Sequence, residues 1–263
     1  SELKPQGLKK SQILLYGFFG MFLNTFYLMF LAYNRLFYLT NVLQLSTQIS
    51  AVVNKLSVWG NVVTMLLAGA IIEKFTFKSG KFRTWTIIGG IVVGIAFTLL
   101  FANFGLSQGV AGALFVVMFV IQSIGYNTLW VAERSLVGPM STTAADANSL
   151  AMVAQQGSTL GGLIYGVVTP VGDNYTWTAL VYGLFIVLGT LGMFSLTRNF
   201  DSGSEPVVAA QKKEQVKGGF LKAMTGPTLP FFFAMILNNM HLGFFMTLLA
   251  YCTQYVLQDP VIL

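Results

Sequence analysis

Long apolar stretches separated by short polar segments dominate the pattern of the chain. A helix that crosses a bilayer needs about 20 consecutive, mostly apolar residues. Seven stretches reach that length, and we predict seven transmembrane helices, spans 1 to 7, at Ile13–Leu39, Ile49–Ile72, Thr84–Gly105, Gly109–Val131, Asn148–Val171, Trp177–Thr197 and Leu229–Leu257. A polar segment that begins at Asp201 is the one long interruption. The pattern therefore predicts an all-α polytopic membrane protein with three parts: a six-helix bundle (1–200), a linker (201–226) and one further helix (227–263).

The composition supports a lipid environment and excludes several chemistries. Only 9% of the 263 residues are charged, 55% are hydrophobic, and the mean hydropathy is +0.70, whereas a soluble globular protein has roughly 25% charged residues. Disulfide frameworks, thiolate metal clusters and bis-histidine haem sites each need at least two Cys or His residues. The chain has one of each, Cys252 and His241. We therefore expect no metal site and no organic cofactor.

The basic residues are distributed unevenly between the two sides of the predicted bundle. Lys and Arg near the ends of spans stay on the cytoplasmic side. Thirteen of them precede span 1 or lie between spans 2 and 3, after span 4 or between spans 6 and 7, whereas residues 105–108 and 170–175 contain none. We therefore expect a multi-pass protein of the cytoplasmic membrane with a cytoplasmic N-terminus. The net charge of +6 reflects this asymmetry, so we predict no nucleic-acid partner.

Span 7 repeats the sequence of span 1 at a displacement of 214 residues, without a gap. The matching positions include Phe18, Phe19, Met21, Leu23 and Asn24, which correspond to Phe232, Phe233, Met235, Leu237 and Asn238. Chance similarity between apolar helices is the alternative explanation. If the match is a true repeat, span 7 opens a second six-helix half that is missing from this chain. Two parallel six-helix halves are the organisation of major-facilitator transporters.

Polar side chains recur at helical spacing within several spans. Such groups are costly in hydrocarbon and normally face a cavity or a neighbouring helix. Amides donate and accept hydrogen bonds, and aromatic rings cover apolar surfaces, so a cavity lined by both suits a polyhydroxylated small molecule. Packing between helices is the alternative role for each residue. The residues that we predict to bind substrate are Asn24, Tyr27, Asn61, Tyr126, Trp130, Gln156 and Asn238.

Charged residues within the predicted spans are few. Lys55 lies about 9 Å into span 2 at 1.5 Å per residue, where it either extends to the interface or contacts an anionic substrate. All nine acidic residues fall in loops or near helix ends. Carriers that couple transport to Na⁺ or H⁺ usually need a buried carboxylate. A coupling Na⁺ or H⁺ stays open as an alternative, but the carboxylates that would bind it are missing from this part of the chain.

Three short motifs resemble one transporter family. They are Gly-Lys-Phe-Arg-Thr-Trp at 80–85, Tyr-Leu-Thr-Asn-Val-Leu-Gln at 38–44 and Tyr-Cys-Thr-Gln-Tyr-Val-Leu-Gln-Asp-Pro at 251–260. The chain resembles the glycoside-pentoside-hexuronide cation symporters, which have the major-facilitator fold. The resemblance implies a sugar or glycoside carrier that works by alternating access, with Lys81, Arg83 and Glu133 near the cytoplasmic gate.

The chain departs from that family where the cation should bind. Family members carry two aspartates in the second helix after a Trp, whereas Gly60 and Thr64 follow Trp59 here. The positions that correspond to the family's sugar-binding aspartates lie at or near Asn24 in the first helix, and near Tyr126 or Asn127 in the fourth. Two alternatives to a sugar carrier remain: a carrier of lipids or other amphiphiles, and a sensor or assembly partner that has the fold without transport. None of these is an enzyme.

Overall fold

The structure is a computed structural model that describes residues 8–75, 77–168 and 174–201, together with Pro230 and Leu237. Within the helices, it describes the backbone alone at residues 21–29, 32–33, 66 and 165–168. The chain divides into two units, Ser1–Ser204 and Glu205–Leu263. The account below concerns the first unit.

Six long helices form the described part of the first unit. They are α1 (Lys10–Phe37), α2 (Thr47–Lys74), α3 (Lys81–Leu100), α4 (Gln108–Ser135), α5 (Ala144–Val168) and α6 (Tyr175–Leu196). A π-helical turn, Tyr38–Val42, continues α1, and a single helical turn, Val137–Met140, follows α4. Four membrane-capable segments lie among the described residues, in α2, α3, α4 with its following turn, and α6. The six helices coincide with predicted spans 1 to 6, whereas the predicted span 7 lies outside the described residues, apart from Pro230 and Leu237.

Polar side chains cap the beginnings of several helices and set their boundaries. At α5, the Thr143 hydroxyl accepts from the Asp146 backbone N–H (3.1 Å), and the Asp146 carboxylate accepts from the Thr143 N–H (3.1 Å). This reciprocal pair satisfies N–H groups that have no partner within the helix. At α6, the side chain of Asn174 accepts from Trp177 N–H (3.1 Å). Both helices therefore begin two to four residues earlier than the apolar pattern predicts.

The helices pack in the order α2, α4, α3, α6, α1, α5, and each contacts mainly its neighbours in that series. Small residues allow the backbones to approach closely, as is usual between helices in a bilayer. A Cβ atom added at Gly183 of α6 would lie 2.7 Å from the carbonyl oxygen of Gly94 on α3. The α1 helix contacts α4 only slightly.

An aromatic cluster holds one end of the bundle together. The ring of Phe101, at the end of α3, lies 4.9 Å from both Phe30 of α1 and Tyr38 of the π-helical turn. Tyr175 of α6 lies 5.5 Å from Tyr38, measured between ring centroids. Edge-to-face aromatic pairs at such distances contribute about 0.5–1.5 kcal/mol beyond their buried area. These ring contacts stabilise the packing of α1, α3 and α6 at the end of the bundle opposite Glu133 and Asp201.

Candidate functional site

The α4 helix presents three kinds of side chain on adjacent parts of its surface. Asn127 faces α2, with which it forms hydrogen bonds, and Glu133 faces α1. Successive residues of a helix are rotated by about 100°, so Trp130 lies between these two directions. Its indole is 43% exposed. The strip of α4 between α1 and α2 therefore combines an accessible aromatic ring with polar groups on both sides.

The α2 side of this strip is a neutral hydrogen-bonded cluster. The Asn127 amide nitrogen donates to Asn61 Oδ1 and to Thr64 Oγ1, both at 3.0 Å. The Thr64 hydroxyl in turn donates to the Asn61 carbonyl oxygen at 2.9 Å. Asn61 is exposed, whereas Asn127 and Thr64 are buried. The cluster therefore has one accessible amide that could bind a solute and two buried groups that hold it in place.

The α1 side of the strip contains a buried carboxylate. Glu133 is fully buried, and a Cβ atom added at Gly20 of α1 would lie 2.8 Å from its Oε1. The hydroxyl of Tyr16 donates to the Glu133 carbonyl oxygen at 2.8 Å. The glycine at position 20 therefore gives the carboxylate the space that it occupies against α1. Tyr126, one of the predicted substrate-binding residues, is half-buried on the same side of α4.

The remaining predicted substrate contacts fall in different surroundings. Gln156 is exposed on α5, and Lys55 is exposed on α2. The structure describes the backbone of Asn24 and Tyr27 but not their side chains, and Asn238 lies outside the described residues. Asn61, Tyr126 and Trp130 are therefore the predicted substrate-binding residues that the described structure brings together around one strip.

The predicted gating residues lie at two different interfaces. The guanidinium of Arg83 stacks on the Phe194 ring of α6, 3.8 Å from its centroid, and donates from Nη2 to the Phe194 carbonyl oxygen at 2.9 Å. The ammonium of Lys81 lies 5.4 Å from the ring centroid of Phe82. Glu133, by contrast, packs toward α1. Within the described residues, Arg83 therefore joins α3 to α6, while Glu133 lies between α4 and α1.

Asp201 is a structural residue that the sequence analysis assigned only to the linker. Its carboxylate accepts from the backbone N–H groups of Lys81 (3.1 Å), Phe82 (2.6 Å) and Arg83 (2.7 Å). The preceding Gly80 has a φ of 118°, and it provides no side chain to cap α3. Asp201 performs that role from a position 120 residues later in the chain. Acidic residues are favourable at helix N-termini, but a capping residue this distant has no local sequence signal.

The chain matches the MFS/sugar transport protein family over residues 11–261. It therefore belongs to this family of membrane transporters, which are not enzymes. It is 30% identical over 152 residues to the raffinose carrier protein of Pediococcus pentosaceus, a match that covers 51% of this chain and 24% of the relative. It is 29% identical over 117 residues to the lactose permease of Lactobacillus delbrueckii subsp. bulgaricus, covering 43% and 19%.

A third relative matches a larger part of the chain. The putative 2,3-dihydroxypropane-1-sulfonate exporter of Escherichia coli (strain K12) is 28% identical over 199 residues, which is 70% of this chain and 42% of the exporter. The chain therefore matches between about a fifth and two fifths of the length of these relatives. The family assignment confirms the predicted all-α polytopic fold and the resemblance to sugar carriers.

Proposed function

We propose that the whole protein is a secondary transporter of a sugar, a glycoside or a similar polar solute. The observation that carries the proposal is the exposed Trp130 indole between the Asn61–Asn127 cluster and the α1 side of α4. An indole face covers the apolar face of a sugar ring, and amides bind hydroxyl groups. The names of the raffinose and lactose relatives support the same solute class.

Transport would proceed by alternating access between this bundle and a second six-helix half. Substrate sites of such carriers lie near the middle of the membrane, between two repeats. We place the protein in the cytoplasmic membrane with its N-terminus in the cytoplasm, on the basis of the Lys and Arg distribution. The gate at that end would include Lys81 and Arg83, with Glu133 nearby.

A second candidate solute class, beside neutral sugars and glycosides, is an anionic polyol. The match to the putative dihydroxypropanesulfonate exporter favours this class. In the structure, the Arg134 guanidinium lies 5.8 Å from the ring centroid of Trp130, so a sulfonate or carboxylate could pair with it while the hydroxyl groups contact the strip. Lys55 is a further cation on α2 that could contact an anion.

Sodium coupling is not expected at the junction of α2 and α4. Na⁺ and other hard cations bind to oxygen ligands, which usually include a carboxylate. The groups that meet at this junction, Asn61, Thr64 and Asn127, are neutral, and the amide nitrogen of Asn127 donates to the oxygen atoms that a cation would need. We therefore propose that uptake does not depend on a sodium gradient.

The experiment is a binding assay on the full-length protein with radiolabelled raffinose, lactose and 2,3-dihydroxypropane-1-sulfonate. We expect at least one of the three to bind, and Trp130→Ala to weaken that binding by about tenfold, which is the loss of roughly 1.4 kcal/mol of ring contact. Trp177→Ala is the matched control, because Trp177 is an exposed indole on α6. Unchanged affinity in Trp130→Ala would refute the proposed site.

Two other functions are tested by the same protein preparation. A carrier of amphiphiles would bind a labelled lysolipid and none of the three polar solutes. A sensor or assembly partner would bind a solute without moving it across a membrane. We favour the polar-solute carrier because the strip on α4 combines hydrogen-bonding groups with a single accessible ring.

A further inference from the structure

The hydrogen bonds between α2 and α4 determine how the side-chain amide of Asn61 is oriented. Thr64 has a single hydroxyl proton, which it donates to the Asn61 carbonyl oxygen at 2.9 Å. The Thr64 oxygen must therefore accept from Asn127, whose side-chain nitrogen lies 3.0 Å away. The same nitrogen lies 3.0 Å from the Asn61 side chain. Because that nitrogen donates, the atom that Asn61 turns toward α4 is its oxygen, Oδ1.

The side-chain nitrogen of Asn61 is the part of the amide that remains available. An asparagine amide has one accepting oxygen and one nitrogen that carries two N–H groups. The oxygen is bonded to Asn127, and no group among the described residues accepts from the Asn61 nitrogen. Asn61 is also exposed. It therefore offers hydrogen-bond donors beside the strip of α4, while its acceptor is turned toward the cluster.

We propose that Asn61 binds the transported solute as a hydrogen-bond donor, through a solute oxygen that accepts. A hydroxyl group can bind to either end of an amide, whereas ring, glycosidic, sulfonate and carboxylate oxygens bind only to its nitrogen. Asn127 and Thr64 are positioning residues, which hold this orientation without touching the solute. The solute-binding role rests on the proposed function, whereas the orientation of the amide does not.

Replacing Asn61 by Asp reverses the polarity of the available group and preserves its shape. One carboxylate oxygen would still accept from Asn127, and the other would replace the N–H donors. We expect Asn61→Ala to weaken solute binding by about fivefold, through the loss of one hydrogen bond. Asn61→Asp should weaken it by about a further tenfold, because two accepting oxygens would then face each other. Binding to Asn61→Asp that equals or exceeds binding to Asn61→Ala would overturn the proposal.

The titrations use the full-length protein in detergent with radiolabelled raffinose, lactose and 2,3-dihydroxypropane-1-sulfonate. A loss for raffinose or lactose in Asn61→Asp would assign the contact to a ring or glycosidic oxygen, and a loss for the sulfonate would assign it to an oxyanion. Asn103→Asp is the matched control, because Asn103 is exposed and its side-chain oxygen accepts from Gly105 N–H at 3.0 Å, as a carboxylate also can. Equal losses in Asn103→Asp and Asn61→Asp would attribute the effect to net charge and overturn the proposal.

NMR spectroscopy of the full-length protein with isotope-labelled asparagine tests the orientation without a solute. The NH₂ signals of Asn61 and Asn103 are identified by their absence from the variants at these positions. We expect the Asn61 NH₂ protons to exchange with water as fast as those of Asn103, since neither group is bonded to another described residue. Protected Asn61 protons would overturn the proposal, because they would show that the nitrogen and not the oxygen binds to α4. Rapid exchange at Asn61 in a protein that binds none of the three solutes would retain the orientation and refute the proposed function.

Discussion

Removing the Asp201 carboxylate should detach the beginning of α3 from the end of α6. In Asp201→Ala, three backbone N–H groups lose an acceptor at 2.6–3.1 Å. Loss of an N-capping side chain costs about 0.5–2 kcal/mol, and hydrogen bonds to a charged group contribute about 1.5–3 kcal/mol each. Because water can replace part of the loss at a helix end, we expect a decrease of about 2–4 kcal/mol in the free energy of unfolding.

The assay is thermal unfolding of the purified full-length protein in detergent, followed by fluorescence. A loss of 1 kcal/mol lowers Tm by about 2–4 °C in a domain of roughly 150–250 residues, which is the size of the six-helix bundle. If this bundle unfolds as one unit, Asp201→Ala should lower its Tm by roughly 5–15 °C. The Tm of Asp201→Asn should lie between those of the wild type and Asp201→Ala, because the amide oxygen of Asn still accepts hydrogen bonds but carries no net charge. Asn199→Ala is the control, because Asn199 is an exposed residue of the same turn.

The comparison between these variants decides whether the cap stabilises the bundle. If Asp201→Ala and Asn199→Ala unfold at the same temperature, the hydrogen bonds to Lys81, Phe82 and Arg83 contribute nothing measurable. The reasoning about the cap would then be wrong.

Three further predictions concern packing, acid sensitivity and the polar cluster. Gly183→Val should lower the free energy of unfolding by about 1–3 kcal/mol through overpacking, while Gly109→Val, at a position with open space, should have little effect in the same thermal assay. A hydrogen bond from the Thr142 hydroxyl, with others from the nearby backbone and Thr143, lowers the pKa of Asp146 below its ordinary value of 3.8. The Asp146 carboxyl therefore binds its proton less tightly in the folded state than in the unfolded state. Ionised Asp146 stabilises the fold above pH 3.8, and this stabilisation is lost as the pH falls below that value. In acid titrations of Tm, Asp146→Asn should therefore show a shallower decline than the wild type. Asn127→Ala should weaken solute binding while changing Tm little, and a large loss of Tm with unaltered binding would assign the cluster to packing alone.

The apolar pattern predicted the existence of six helices, but it placed several boundaries too close to the apolar core. Span 3 was predicted to begin at Thr84, whereas α3 begins at Lys81. Span 4 was predicted to end at Val131, whereas α4 continues to Ser135. In both cases the helix extends beyond the apolar stretch into charged residues. Capping by Asp201 and the burial of Glu133 explain these extensions, and neither is encoded by local periodicity.

The candidate site was predictable only in part. Helical spacing grouped Tyr126 and Trp130 on α4, because residues three or four apart share a side of a helix. It did not identify Asn127 as the partner of Asn61, since that pairing depends on how α2 and α4 are aligned. Helical spacing also placed Glu133 near a helix end, but it did not predict that this residue is buried. The burial depends on the glycine at position 20 of another helix. Contacts between helices are properties of the packed bundle and not of either sequence segment alone.

Solute uptake by the full-length protein in sealed proteoliposomes tests the central claim most directly. The solutes are radiolabelled raffinose, lactose and 2,3-dihydroxypropane-1-sulfonate, each measured with and without a sodium gradient and compared with the Trp130→Ala variant. We predict that at least one solute accumulates in the vesicles, that the sodium gradient leaves its rate unchanged, and that Trp130→Ala slows it strongly. Uptake that requires sodium, or that is the same in Trp130→Ala as in the wild type, would contradict the proposed site and its neutral cluster.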